Sequence, residues 1–272
     1  TVYLTGIGSV DDFSVESNDE FEPERAAQLE QVPIIKQWST TSGIGWKRRL
    51  KNGKGLMTTT ASVNVLDNTF SRFTDNEAQT GLLLETTSRE TEQKLRYDYT
   101  RFVGDWSITG GANLTRALYD NTTEDLIRNQ QFSTDLDFIR FGLFGQATTT
   151  VLDGKLDVSV GLRMDGNTFT DGGANPLRTL SPRASLSYRL DPKGAWRLNA
   201  TAGRYFKILP YTVLGFRNAA GEFANRDTDY TSSNHAGLGL DHRIAGSVEL
   251  NVERVHNPRC TLVLLYMCHT HG

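Results

Sequence analysis

The sequence predicts an all-β protein: an antiparallel up-and-down transmembrane β-barrel, present in part. Three observations predict it. Apolar and polar residues alternate with period two in many segments, the connections between those segments alternate long and short, and aromatic residues gather beside the short ones.

The alternation is cleanest in "LDVSVGLRMDGNTFT" (156–170). Leu156, Val158, Val160, Leu162 and Met164 take every second place, and Asp157, Ser159, Gly161, Arg163 and Asp165 stand between them. Successive side chains of a strand point to opposite faces, so such a segment is half oily and half wet. A soluble sandwich and a membrane barrel both accept this pattern. "LSPRASLSYRL" (180–190), "WRLNATA" (196–202) and "IRFGLFGQA" (139–147) repeat it.

Reading for alternation predicts about eleven strands, near 1–8, 38–50, 56–70, 86–101, 106–120, 135–151, 156–169, 180–190, 196–206, 231–243 and 247–255. Long connections are expected at 9–37, 71–85, 121–134, 170–180 and 207–230. Short ones fall at 51–55, 103–105, 152–155, around 192–194 and at 244–246. Asn-Gly and Asp-Gly supply the positive φ that tight hairpins need. One rim of short turns and one of long loops is the topology of an outer-membrane barrel, with the long loops outside. Trp46, Trp106, Tyr188 and Trp196 stand beside short turns, where a membrane girdle of amphipathic rings belongs.

Composition narrows the function classes. A formal net charge of −3 over 272 residues gives no basic surface for nucleic acid. No apolar run is long enough for a membrane helix. Cys260 and Cys268 are the chain's two cysteines, so no disulfide framework holds its body. The opening "TVYLTGIGSV" is already strand-like and carries no leader, so the chain is expected to begin inside a longer protein. Nucleophile-elbow, zincin, phosphate-loop and dinucleotide motifs are absent, and no catalytic residue, metal ligand or cofactor is assigned. Asp165, Asn167 and Asp171 are read as a turn rather than a calcium loop.

"SRETEQKLRYDYT" (88–100), "GLRMDGNTFT" (161–170), "LSPRASLSYRL" (180–190), "WRLNATAGRYFKILPYTVLGFRN" (196–218) and "NHAGLGLDH" (234–242) resemble, in this order, TonB-dependent outer-membrane receptors, the Bacteroidetes-type members being closest in style. The resemblance implies a barrel of about 22 strands around a plug domain. It implies the cell outer membrane, with lipid around the wall and energy from TonB with ExbB and ExbD acting through a plug this chain lacks. A surface lipoprotein partner fits the same picture. The implied cargo is a scarce small nutrient: an iron-siderophore complex, cobalamin or a glycan. A passive porin or translocator, or a barrel hydrolase using His235, remains the alternative.

Ligand-binding candidates are polar residues expected to face inward or lie in loops near the long-loop rim: Arg163, Asp165, Asn167, Arg204, Tyr205, Lys207, Tyr211, Arg217, Asn225, Arg226 and Asp229. Arginine offers a planar donor fork for carboxylate, phosphate or catecholate oxygens, and tyrosine a ring with a hydroxyl. Residues 1–255 are assigned to the partial barrel. Residues 256–272, "HNPRCTLVLLYMCHTHG", lose the alternation and are expected to lie outside it. Their Cys and His spacing matches no standard zinc pattern.

Overall fold

The computed structural model describes residues 1–14, 32–192, 195–245, 248–257 and 260–269. The strands are β1 (Val2–Phe13), β2 (Ile34–Arg49), β3 (Gly55–Asp75), β4 (Thr80–Val103), β5 (Trp106–Asp125), β6 (Gln130–Val151), β7 (Leu156–Asn167), β8 (Ser181–Arg189), β9 (Trp196–Lys207), β10 (Thr231–Ala245), β11 (Val248–Asn257) and β12 (Cys260–His269). A one-turn helix, α1 (Tyr211–Leu214), lies between β9 and β10. All twelve strands join one sheet in chain order, each antiparallel to the next. This is an up-and-down meander, the expected fold class.

Two expected long connections are short. β3 runs to Asp75 and β4 starts at Thr80, so 71–85 is mostly strand. Likewise β5 reaches Asp125 and β6 starts at Gln130. The tips turn through Gln79 and Asn129, both at positive φ. These segments are rich in Thr, Asn, Asp and Glu on both faces, so their alternation fades although the pairing continues. About 9–11 tilted residues cross a bilayer, whereas β4 has 24 and β6 has 22. The surplus is a wall wet on both sides, and Thr suits a pleated surface. Cys260–His269, expected outside the sheet, pairs antiparallel with β11.

Cross-strand partners share a face, so register assigns every strand residue to a row. Leu156 pairs with Tyr188 and Val158 with Leu186. Tyr188 continues to Leu198, and Leu198 to Leu240. In the other direction Met164 pairs with Leu143, Phe141 with Leu114, Leu114 with Leu95, Leu95 with Ala61, Ala61 with Ile44 and Ile44 with Leu4. One face of the sheet, called outward below, is thus apolar from β1 to β10. Among the described residues no packed layer lies over it: Leu4, Leu95, Leu186 and Leu198 are 78, 50, 45 and 44% exposed. Trp46, Trp106, Tyr188 and Trp196 all belong to this outward row, at the end bearing the short turns.

The buried core sits on the opposite face. Ala117, Tyr119, Leu136 and Phe138 are inward residues of β5 and β6, and they pack with Phe169, Tyr211 and Leu214. The chain between β9 and β10 therefore folds over the inner wall.

Candidate functional site

The inward row is polar along β4, β6 and β7. Glu92 on β4 is the centre of one cluster: Lys94 Nζ lies 2.5 Å away, Arg140 of β6 donates to it, and Tyr211 Oη donates at 2.5 Å. Tyr211 reaches this carboxylate from α1, with its ring edge-on to Phe138 at 5.7 Å. Burial pushes the Tyr211 phenol far above its ordinary range, and the Glu92 carboxylate reinforces the shift. The helix is pinned further where Thr134 Oγ1 donates to Gly215 O at 2.6 Å.

A second cluster lies nearer the membrane band. Arg163 of β7 forks onto Asp165 (2.8 and 2.5 Å) and reaches Asn113 Oδ1 at 3.2 Å. Gly142 of β6 makes room for it, since a Cβ there would collide with Asp165 Oδ1. Beside it a hollow of roughly 450 Å3 is lined by Arg96, Phe144, Gln146, Arg163, Arg183 and Tyr205, among others. Arg96 is forked onto Asp98. Arg183 lies over the Tyr205 ring at 4.4 Å, and among the described residues it has no ion-pair partner within 4.0 Å.

Several expected ligand residues instead brace loops. Asn167, fully buried, accepts from Phe169 N and Thr170 N and donates to Tyr230 Oη at 3.3 Å. Burial raises the Tyr230 phenol as well. Arg226 lies 3.6 Å from Asp171, and Arg178 3.2 Å from Asp229, so the β7–β8 and β9–β10 connections are tied together. Arg217 stacks on Phe223 at 3.9 Å and donates to Gly221 O, and Asn225 donates to Val213 O. Lys207 ends β9, exposed. Arg204 and Tyr205 are neighbours on a strand and take opposite faces. Register gives Tyr205 the inside and Arg204 the outside. The structure thus brings Arg163 and Tyr205 to one hollow with Asp165 beside them, docks Tyr211 on Glu92, turns Arg204 outward and leaves the others in the loops or at strand ends.

Sequence reasoning missed Glu92, Arg140, Tyr119 and Phe138. A signal was present: Ala117, Tyr119, Leu136 and Phe138 fall on the inward parity of their strands, opposite in phase to the lipid band. An apolar patch inside a wet lumen calls for a cover, which the 208–223 segment supplies. The Cys and His residues of the 256–272 tail lie outside the described side chains. Among the described residues no group of three or more His, Cys, Asp or Glu could hold a metal ion.

An open-faced, up-and-down wall with a lipid-directed apolar band defines a β-barrel of the outer membrane. Residues 10–251 match the family model "TonB dependent receptor-like, beta-barrel", and the chain belongs to that family. No curated protein matches by sequence. Among solved structures, the copper transporter OprC superposes with a TM-score of 0.59 at 14% identity, covering 83% of this chain and 42% of that one. The alcaligin outer membrane receptor FauA from Bordetella pertussis gives 0.57 at 12% identity, over 83% of this chain and 37% of FauA. The outer membrane transporter YddB from Escherichia coli gives 0.55 at 14%, over 94% of this chain and 37% of YddB. The chain spans about two fifths of the length of these structures. Such likeness shows the fold, and the family places the chain in the outer membrane.

Proposed function

We propose that this chain is part of the wall of a receptor for energy-coupled uptake of a scarce nutrient, with an anionic cargo such as a ferric siderophore first among the classes expected. A plug domain would close the lumen, and TonB with ExbB and ExbD would displace it. The observation that carries this reading is the inward hollow, where three guanidiniums meet Tyr205 and Phe144. Guanidinium forks match carboxylate and catecholate oxygens, and the rings offer flat apolar contact. Arg183 is central because it lacks the acid partners that hold Arg96 and Arg163. The family match and structural neighbours that include a siderophore receptor, PirA from Pseudomonas aeruginosa, support it. At the rim, the tied pairs of Arg226 with Asp171 and Arg178 with Asp229 would shape the mouth through which cargo enters.

The test is uptake by the full-length receptor in its own host under iron starvation, using labelled ferric siderophores. Uptake should stop when the proton-motive force is collapsed. Replacing Arg183 and Tyr205 together by Ala should lower it about tenfold or more, the effect of losing roughly 1.4 kcal/mol of binding, at unchanged surface abundance. Uptake that ignores both treatments contradicts the proposal.

A further inference from the structure

The outward apolar band ends in a defined tier of charge. On β9 the outward residues run Trp196, Leu198, Ala200, Ala202 and then Arg204. The step from Trp196 to Arg204 spans roughly 20 Å along the membrane normal, for a tilted strand rising about 3.3 Å per residue. Arg204 therefore stands at the far edge of the band, on the long-loop side. Arg116 on β5 and Arg89 on β4 are also outward residues, but each is bound by a carboxylate, Asp137 at 2.6 Å and Asp67 at 2.8 Å. Arg204 has no ion-pair partner among the described residues and lies against the Phe206 ring at 4.8 Å.

The wall is notched at this point. β8 begins only at Ser181, while β9 continues to Lys207, and the 168–180 connection fills the gap. In the notch is a hollow of roughly 340 Å3 whose lining includes Arg178 with its partner Asp229, Arg204, Phe206, Ser232 and the glycine pair 172–173. Arg204, Phe206 and Ser232 belong to the outward row, so the hollow opens on the lipid side of the wall. Gly172 lies against the Arg178 guanidinium, which a Cβ there would displace.

We propose that this notch binds the phosphate of an anionic lipid headgroup in the outward leaflet, with Arg204 as its principal cation and Arg178, which Asp229 already holds, as its second. An arginine free of acid partners, at headgroup depth and in a pocket open to lipid, is placed for a phosphate that arrives from the membrane. The site is separate from the inward hollow, since adjacent strand residues face opposite ways.

Native mass spectrometry of the detergent-solubilised full-length receptor tests this, with bisphosphorylated lipid A, its dephosphorylated form and inorganic phosphate as probes. The phosphorylated lipid should stay bound, and Arg204→Gln should reduce its occupancy at least fivefold. Arg178→Gln should reduce it less, and Arg116→Gln, which removes an outward cation already paired with Asp137, should leave it unchanged. Equal retention of the dephosphorylated lipid, displacement by equimolar inorganic phosphate, or undiminished binding by the heat-modifiable, folded Arg204→Gln receptor would each overturn the proposal.

Discussion

Tyr211 shows how one side chain joins a loop to the wall. Its hydroxyl donates to Glu92 while its ring packs on Phe138 and Tyr119. Hydrogen bonds to charged groups contribute about 1.5–3 kcal/mol, so in the full-length receptor Tyr211→Phe should speed protease cleavage within 208–230 about tenfold or more. Unchanged cleavage would show that the apolar cluster alone holds the segment. The raised phenol also carries a sign. A group whose folded pKa lies above its unfolded value of about 10 adds stability below that pH and loses it as pH rises through the folded value. Tyr230 adds in the same sense. Absorbance titration should therefore find no difference between wild type and Tyr211→Phe up to about pH 10. A variant that lost a phenol titrating there would contradict the buried donor.

At the scale of elements, the turns between strands carry uneven strain. The β6–β7 turn places Leu152 and Asp153 at φ 54°, followed by Gly154 at 82°. An L-residue in the left-handed region costs about 1–2 kcal/mol, and asparagine tolerates it best. Leu152→Asn should stabilise the full-length barrel by about 1 kcal/mol in urea unfolding from lipid, with no shift sinking the strain argument. The membrane-crossing part of each element was legible in the sequence because lipid on one side and water on the other enforce alternation, as in Leu156–Met164. The upper wall at 71–75, 80–85 and 121–125 was not, because water on both sides imposes no phase. The orientation of Arg204 was legible by parity from Trp196. The docking of Tyr211 on Glu92 was not, since it joins residues 119 positions apart.

The whole molecule is an open sheet. Among the described residues β1 and β12 each pair on one side only, and no closing ladder joins them. Unsatisfied backbone groups cost several kcal/mol each in lipid, and exposed strand edges recruit other chains. The 272-residue chain expressed alone should therefore aggregate in water and conduct no solute in liposomes. A monodisperse, folded, soluble preparation would contradict the membrane reading. The tail is a proposal of the same scale: the family match ends at residue 251, and we propose that 256–272 is foreign to the native wall although the backbone of Cys260–His269 continues the sheet.

The central claim is that the outward row touches acyl chains and the inward row touches water. The most direct measurement is a cysteine scan of 184–189 in the full-length receptor, with its native cysteines first changed to Ser. Each new thiol carries an environment-sensitive fluorophore in bilayers containing brominated lipid. Quenching should be strong at Ala184, Leu186 and Tyr188 and weak at Ser185, Ser187 and Arg189. Uniform quenching along the strand, or the opposite phase, would contradict the account.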